Sequence, residues 1–329
     1  MMKIKTLLSA LAVGFTICST AAISEASADE LTFAGVGKVN TPWFVRHKQG
    51  VMLGAEENNV KGVYKASTIA SQKKQAEIVE DFIKDGVNAL LVVPNDAQSL
   101  EKAFMTAQKQ GITVITHESP KQVNADFDVE LIENEKFGIL LMDEFVKLSK
   151  GKKGSYAIYV GSLTVPAHNL WAKAAIQHQK EKYPQLELIE IFPISENRGV
   201  SGKTALSLIK KHPDLVGIIT LGSEGAPGIG KALMQNKLKD KITVIGVATP
   251  NDTKEYVKDD YVQELILWDP AQAARVQTIL AKMIADGRRD EIKPGFTLPE
   301  FGAPRFDGNT LIFDDPLIVT KDNVDNYDF

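Results

Sequence analysis

Residues 76–119 constrain the fold more than any other stretch: AEIVEDFIKDGVNALLVVPNDAQSLEKAFMTAQKQGITVITHES. Ala76, Val79, Phe82 and Ile83 recur at helical spacing, and Asn88 to Val93 then run almost wholly apolar, as a strand covered by helices on both faces requires. Pro94, Asn95 and Asp96 punctuate. Leu100, Ala103, Phe104 and Ala107 repeat the helical spacing, and Gly111 stops that helix before a second strand, Ile112 to Thr116. The unit is βαβ. Open sheets of such units bind ligands outside the carboxyl ends of their strands, which places Asn95, Asp96, His117 and Glu118 where a site would form.

The same alternation fills the rest of the chain. Leu31 to Gly35 reads as a strand, Val45, Val51, Met52 and Ala55 as one face of a helix, and Val60 to Ala66 as another strand, so a doubly wound parallel lobe is expected over the first 120 residues or so. A second round follows. Its strands are Ser155 to Val160, Leu186 to Phe192, Val216 to Thr220 and Ile242 to Val247, with helical patterns at 137–148, 171–183, 202–211 and 229–234 between them. The strand Val262 to Leu267 and the helix carrying Val276, Ile279, Leu280 and Met283 are expected to return together to the first lobe. The backbone then crosses between lobes near 119–125, 248–253 and 287–297, a three-segment hinge. The fold class is therefore α/β, two doubly wound parallel-sheet lobes. The expected boundaries are 29–120 plus 253–289 for the N-terminal lobe, and 121–252 plus 290–329 for the C-terminal lobe and hinge segment.

Residues 1–28 are set apart from this fold. Lys3 and Lys5 precede the apolar run Leu7 to Cys18, and Ala26-Ser27-Ala28 fits a small-x-small cleavage site, the pattern of a secretory signal peptide. The run is too short to span a bilayer, which takes roughly 20 apolar residues. Phe15-Thr16-Ile17 before Cys18 is a poor lipidation signal. The expected product is exported and cut near Ala28. Lys3, Lys5 and Glu25 leave with the peptide, a net +1, so the formal charge of −4 becomes −5. Lys and Glu are interspersed, and no basic face for nucleic acid results. Cys18 is the only cysteine, so the mature chain has no disulfide and relies on its core.

Enzyme signatures are missing: there is no Gly-x-Ser-x-Gly elbow and no His-Glu-x-x-His, and the five histidines offer no metal spacing. Neither metal nor cofactor is expected. His117, Glu118 and Ser119 contain nucleophile and base types, but neighbours on an extended strand point to opposite faces, so the three are not expected all to converge. Gly35-Val36-Gly37-Lys38-Val39-Asn40 lacks the third glycine of a dinucleotide fingerprint, and Asn197 stands where the first glycine of a phosphate loop ending Gly202-Lys203-Thr204 belongs.

Several stretches resemble one family, the periplasmic sugar-binding proteins of ABC importers with the ribose-binding type of fold. Thr41-Pro42-Trp43-Phe44 resembles that family's Asn-Pro-Phe-Phe loop, and the spacing on to Gly86-Val87-Asn88-Ala89 and Ile115-Thr116-His117-Glu118 is similar. Lys38, Asn169-x-Trp171, Leu267-Trp268-Asp269 and the ending from Thr320 to Phe329 are most similar to the branch of autoinducer-2-binding and rhamnose-binding proteins. The resemblance implies periplasmic binding protein type I lobes closing on a ligand, with an ABC permease in the inner membrane as partner. The ligand groups match only in part. Lys38 matches the Lys of the autoinducer-2 proteins; Glu118 stands for their Asp, Ala167-His168 for an Asp-Gln pair, and Leu221 and Ser223 for a Pro and an Ala.

A monosaccharide needs flat apolar walls for its C–H faces and fixed donors and acceptors for its hydroxyls. Trp43, Phe44 and Trp268 are the candidate walls, with core packing as the alternative for the two indoles. Lys38, Glu118, His168, Asn169, Ser223 and Asp269 are the candidate polar partners. Lys38 and Glu118 either meet a hydroxyl or pair with each other, His168 is otherwise a satisfied histidine, and Asp269 is otherwise the cap of the helix from Ala271. The expected function is the periplasmic solute-binding component of an ABC importer, a monomer that binds a small sugar or sugar-like ligand and hands it to the permease. Autoinducer-2 binding for uptake or sensing, a sensor-only module, and a secreted sugar-processing enzyme are the alternatives.

Overall fold

The computed structural model describes residues 30–329; the signal-peptide reading, its cleavage point and Cys18 lie outside the described residues. The first elements are β1 (Thr32–Gly37), α1 (Pro42–Glu57), β2 (Lys61–Ala66), α2 (Gln72–Lys84), β3 (Ala89–Val92), α3 (Ala97–Lys109), β4 (Thr113–His117) and β5 (Phe127–Glu130). Next come α4 (Asn134–Leu148), β6 (Gly154–Val160), α5 (Pro166–Lys182), β7 (Leu186–Pro193), α6 (Arg198–Lys211), β8 (Leu215–Thr220), α7 (Gly225–Gln235) and β9 (Thr243–Gly246). The chain finishes with α8 (Pro250–Lys258), β10 (Glu264–Leu267), α9 (Pro270–Ala285), β11 (Arg305–Asp307), β12 (Thr310–Ile312) and β13 (Leu317–Val319). Capping sets the helix starts where the polar punctuation stood. Asp96 accepts the Ser99 N–H at 2.7 Å, and Asn197 accepts the Val200 N–H at 3.0 Å, which starts α6 four residues earlier than its apolar spacing suggests.

Two sheets result. One has seven strands in the order β11-β12-β5-β4-β3-β1-β2, the other six in the order β13-β10-β9-β8-β6-β7. All pairings are parallel except β11 with β12 and β10 with β13. Strands β3, β4 and β8 are buried along their whole length, which accounts for their unbroken apolar runs. The α/β class with two lobes is therefore the fold of this chain.

Lobe membership differs from the boundaries read in the sequence. β10 lies in the six-stranded sheet, so only α9 goes back to the first lobe, and β5, β11 and β12 belong to the seven-stranded sheet. Three crossings remain, but they fall between β5 and α4, between β10 and α9, and between β12 and β13. Close packing holds α9 to the first lobe: a Cβ built on Gly50 of α1 would lie 2.2 Å from the Ala271 carbonyl oxygen, so only glycine permits this approach. Gln277 of α9 spans between His47 Nε2 at 2.9 Å and the Ile115 carbonyl at 2.9 Å, tying the helix to α1 and β4.

Candidate functional site

The carboxyl ends of both parallel sheets face one another, and the side chains carried there line one narrow cavity. Lys38 follows β1, Glu118 follows β4, His168 sits in the first turn of α5, and Ser223 and Trp268 follow β8 and β10. Trp43 and Phe44 come from the first turn of α1. These seven candidates line one space; Asn169 and Asp269 do not. Asn169 Nδ2 donates to the Ser162 and Val165 carbonyls at 3.1 and 2.7 Å and braces its own loop. Asp269 accepts a two-pronged bond from Arg46 at 2.8 and 2.6 Å and caps α9 through the Ala271 N–H at 2.9 Å, so its oxygens are committed.

Lys38 and Glu118 form a direct ion pair, 1% and 2% exposed. Backbone geometry makes this possible. Glu118 has φ 58°, a left-handed conformation rare outside glycine, which turns it out of strand alternation. His117 and Glu118 therefore meet, with Nε2 and Oε1 3.7 Å apart, while Ser119 donates to Gln122 Oε1 at 2.7 Å, so the three do not all converge. Asn95 holds the Lys38 carbonyl through Nδ2 at 2.9 Å, and Gln75 ties Gly37, Val93 and Asn95 together. The Lys38 main chain is thereby fixed before its side chain makes any contact.

The histidine tautomers follow from their partners. His117 Nδ1 donates to the Val129 carbonyl at 2.6 Å, leaving Nε2 to accept the Trp268 Nε1–H at 3.1 Å. His168 Nδ1 accepts the Gly161 N–H at 3.0 Å, so the hydrogen of the neutral ring is on Nε2. Burial holds both rings below the usual imidazole range, His168 well below it, with the nearby Lys38 charge acting in the same direction on each. Behind Glu118, burial also pushes up the carboxyls of Asp128, to about 6, and Glu130.

Trp268 is 1% exposed and occupies the crossing between β10 and α9. Its indole meets Trp43 and His117 of the first lobe at 5.2 and 5.7 Å between ring centres, and Trp171 and Phe137 of the second at 5.6 and 5.8 Å, all edge to face. It is both a wall of the cavity and a core residue. A further link spans the lobes, Gln72 Nε2 donating to Thr164 Oγ1 at 2.7 Å, while Lys38 Nζ and His168 Nε2 approach to 3.3 Å with a hydrogen on each.

Sequence reasoning missed Glu196 and Val247 as lining residues; Leu221, matched above to a pocket position of the autoinducer-2 proteins, and Trp171 line the cavity with them. Glu196 stands three residues beyond the end of β7 and had a signal in that position alone. A larger groove of about 1040 Å³ beside Lys121, Lys173 and Arg305 is bordered by surface charges and lacks enclosed aromatic walls. Among the described residues no group of three or more His, Cys, Asp or Glu is placed to hold a metal ion.

Residues 33–289 match the periplasmic binding protein domain. The chain belongs to that family. It is 24% identical over 255 residues to the ribose import binding protein of Bacillus subtilis, covering 77% of this chain and 81% of that protein. Among solved structures it is similar to LsrB of Clostridium saccharobutylicum in complex with AI-2, with TM-score 0.82, 23% identity, and 91% and 100% of the two chains covered. An ABC transporter solute-binding protein from Clostridium phytofermentas with bound L-rhamnose gives TM-score 0.83 at 21% identity over 91% and 98%. These relatives are substrate-binding proteins and not enzymes.

Proposed function

We propose that this chain is the exported solute-binding component of an ABC importer, which encloses a small sugar or sugar-like ligand between its lobes and presents it to a membrane permease. The observation that carries this reading is the cavity itself. Indole and phenyl rings wall it, Lys38, Glu118, His168 and Ser223 supply donors and acceptors, and both lobes contribute to it. The space is narrow because Lys38, Glu118, His168 and Trp268 pack closely across it, so a ligand must separate the lobes to enter. Ligand entry requires the Lys38–His168 and Gln72–Thr164 contacts to part, and a ligand that bridges the lobes favours the closed arrangement through its differential affinity.

The monomeric state, the periplasmic location and the permease partner belong to the same proposal. The ribose, AI-2 and L-rhamnose named for the relatives place those compounds first in a test panel. Titration calorimetry against pentoses, hexoses, deoxyhexoses, polyols and autoinducer-2 is expected to give saturable heat with at least one. Absence of heat from the whole panel would overturn the reading, and turnover of a bound compound would favour the enzyme alternative.

A further inference from the structure

Two polar positions facing the cavity lack a matching partner. The first lies between Lys38 Nζ and His168 Nε2, 3.3 Å apart. Because His168 Nδ1 is occupied by the Gly161 N–H, Nε2 carries a hydrogen, and two donors face each other. One oxygen acceptor lodged against both satisfies both. The second is the Glu196 carboxyl, whose Oε2 is shielded from solvent and has no hydrogen-bond partner. A hydroxyl-rich compound answers both needs, with one oxygen accepting and a neighbouring hydroxyl donating.

Charge narrows the compound further. Lys38 is the one cation lining the cavity, and Glu118 is in direct contact with it. His117 and His168 are neutral. Glu196 and, behind it, Glu224 add only acidic groups, and Arg198 is divided between Glu224 and Asp252. The cavity therefore carries zero or negative charge and never a positive one. Burial pushes the Glu196 carboxyl up to about 7, so above that pH it is ionised, and because an enclosed space screens like charges poorly, a ligand carboxylate or phosphate is then repelled there.

Resting on the sugar-binding reading above, we propose that Glu196 is a specificity-determining residue: it takes a hydroxyl hydrogen from a neutral polyhydroxy ligand and, with Glu118, excludes ligands bearing a carboxylate or phosphate. Ser223 bonds the Glu196 carboxyl but leaves Oε2 open, and unlike the unpartnered oxygen of Glu264 this one belongs to a residue that lines the cavity, where a ligand hydroxyl can reach it.

The test compares wild type with Glu196→Gln, which keeps the shape, in two measurements. In calorimetry at pH 8, where Glu196 is ionised, matched probes are galactose with galacturonate, glucose with glucuronate, and ribose with ribose 5-phosphate, together with the neutral compound that binds best in the broader panel. Wild type is expected to bind neutral probes only, and Glu196→Gln to lose about 10- to 100-fold in affinity for them, the range for a hydrogen bond to a charged group. In ligand-free thermal unfolding at pH 8, Glu196→Gln is expected to melt a few degrees higher, because an unpaired buried charge has been removed. Tight binding of an acidic probe by wild type, or unchanged affinity in the variant, overturns the proposal. A lower melting temperature in the ligand-free variant also overturns it, since that marks a structural partner. Absence of heat from every compound condemns the sugar-binding reading instead, while the ligand-free melting still decides whether Glu196 is an unpaired liability.

Discussion

Replacing Trp268 separates two roles that one indole holds at once. The ring is 1% exposed and packs edge to face on four rings drawn from both lobes. Burial of an indole removes roughly 200 Å² from water, which at about 25 cal/mol per Å² is about 5 kcal/mol, and truncations of this kind cost about 3–5 kcal/mol. Trp268→Ala is therefore expected to lower unfolding free energy by about 3–5 kcal/mol, with neighbouring rings relaxing into part of the gap. Trp268→Phe keeps most of the packing but leaves His117 Nε2 buried without its donor, a cost of about 1–3 kcal/mol. Urea unfolding of the ligand-free protein, followed by circular dichroism and compared at equal m-values, measures both. Should Trp268→Ala cost less than about 1 kcal/mol, the hinge packing described here does not persist without ligand, and Trp268 is a cleft wall alone. In calorimetry with a binding sugar, Trp268→Ala is expected to abolish binding and Trp268→Phe to weaken it.

The buried pair gives a second expectation: Lys38→Met or Glu118→Gln alone leaves one charge stranded and costs about 3–5 kcal/mol, whereas the double variant costs less than either. Equal or additive losses in urea unfolding would refute this. A third concerns Glu264, 3% exposed at the start of β10, whose Oε1 has no partner and whose carboxyl burial raises from 4.5 to about 7. The folded state binds this proton more tightly than the unfolded chain, so its favourable contribution is full below pH 4.5 and is lost as pH rises towards 7. Glu264→Gln is expected to raise the melting temperature at pH 8 and leave it nearly unchanged at pH 4, and a uniform shift at both would count against the assignment.

Much of this architecture was legible in the residues. Unbroken apolar runs such as Ala89–Val92 and Leu215–Thr220 mark strands buried on both faces, and Asp96 marks a helix start through its side-chain oxygen, whereas the start of α6 at Asn197 was read four residues late. The buried face of α1 was read less well. Val45 is 46% exposed, while His47, Gly50 and Gly54 are buried, because α1 meets α9 by backbone approach at its glycines and not through a stripe of large side chains. Sequence spacing has no symbol for such a contact.

Periodicity and punctuation alone determined the α/β class, the pair of lobes and the strand ends from which a cavity had to be built. They act locally, within a turn of helix or a pair of strand residues, and a local rule suffices for elements. Only the tertiary structure decided where the backbone crosses between lobes, that Glu118 turns out of its strand to meet Lys38, that Asp269 is spent on Arg46, and that Glu196 faces the cavity. Each of these depends on which distant residue arrives as neighbour, and long-range packing settles that by burial and hydrogen-bond satisfaction across the whole fold.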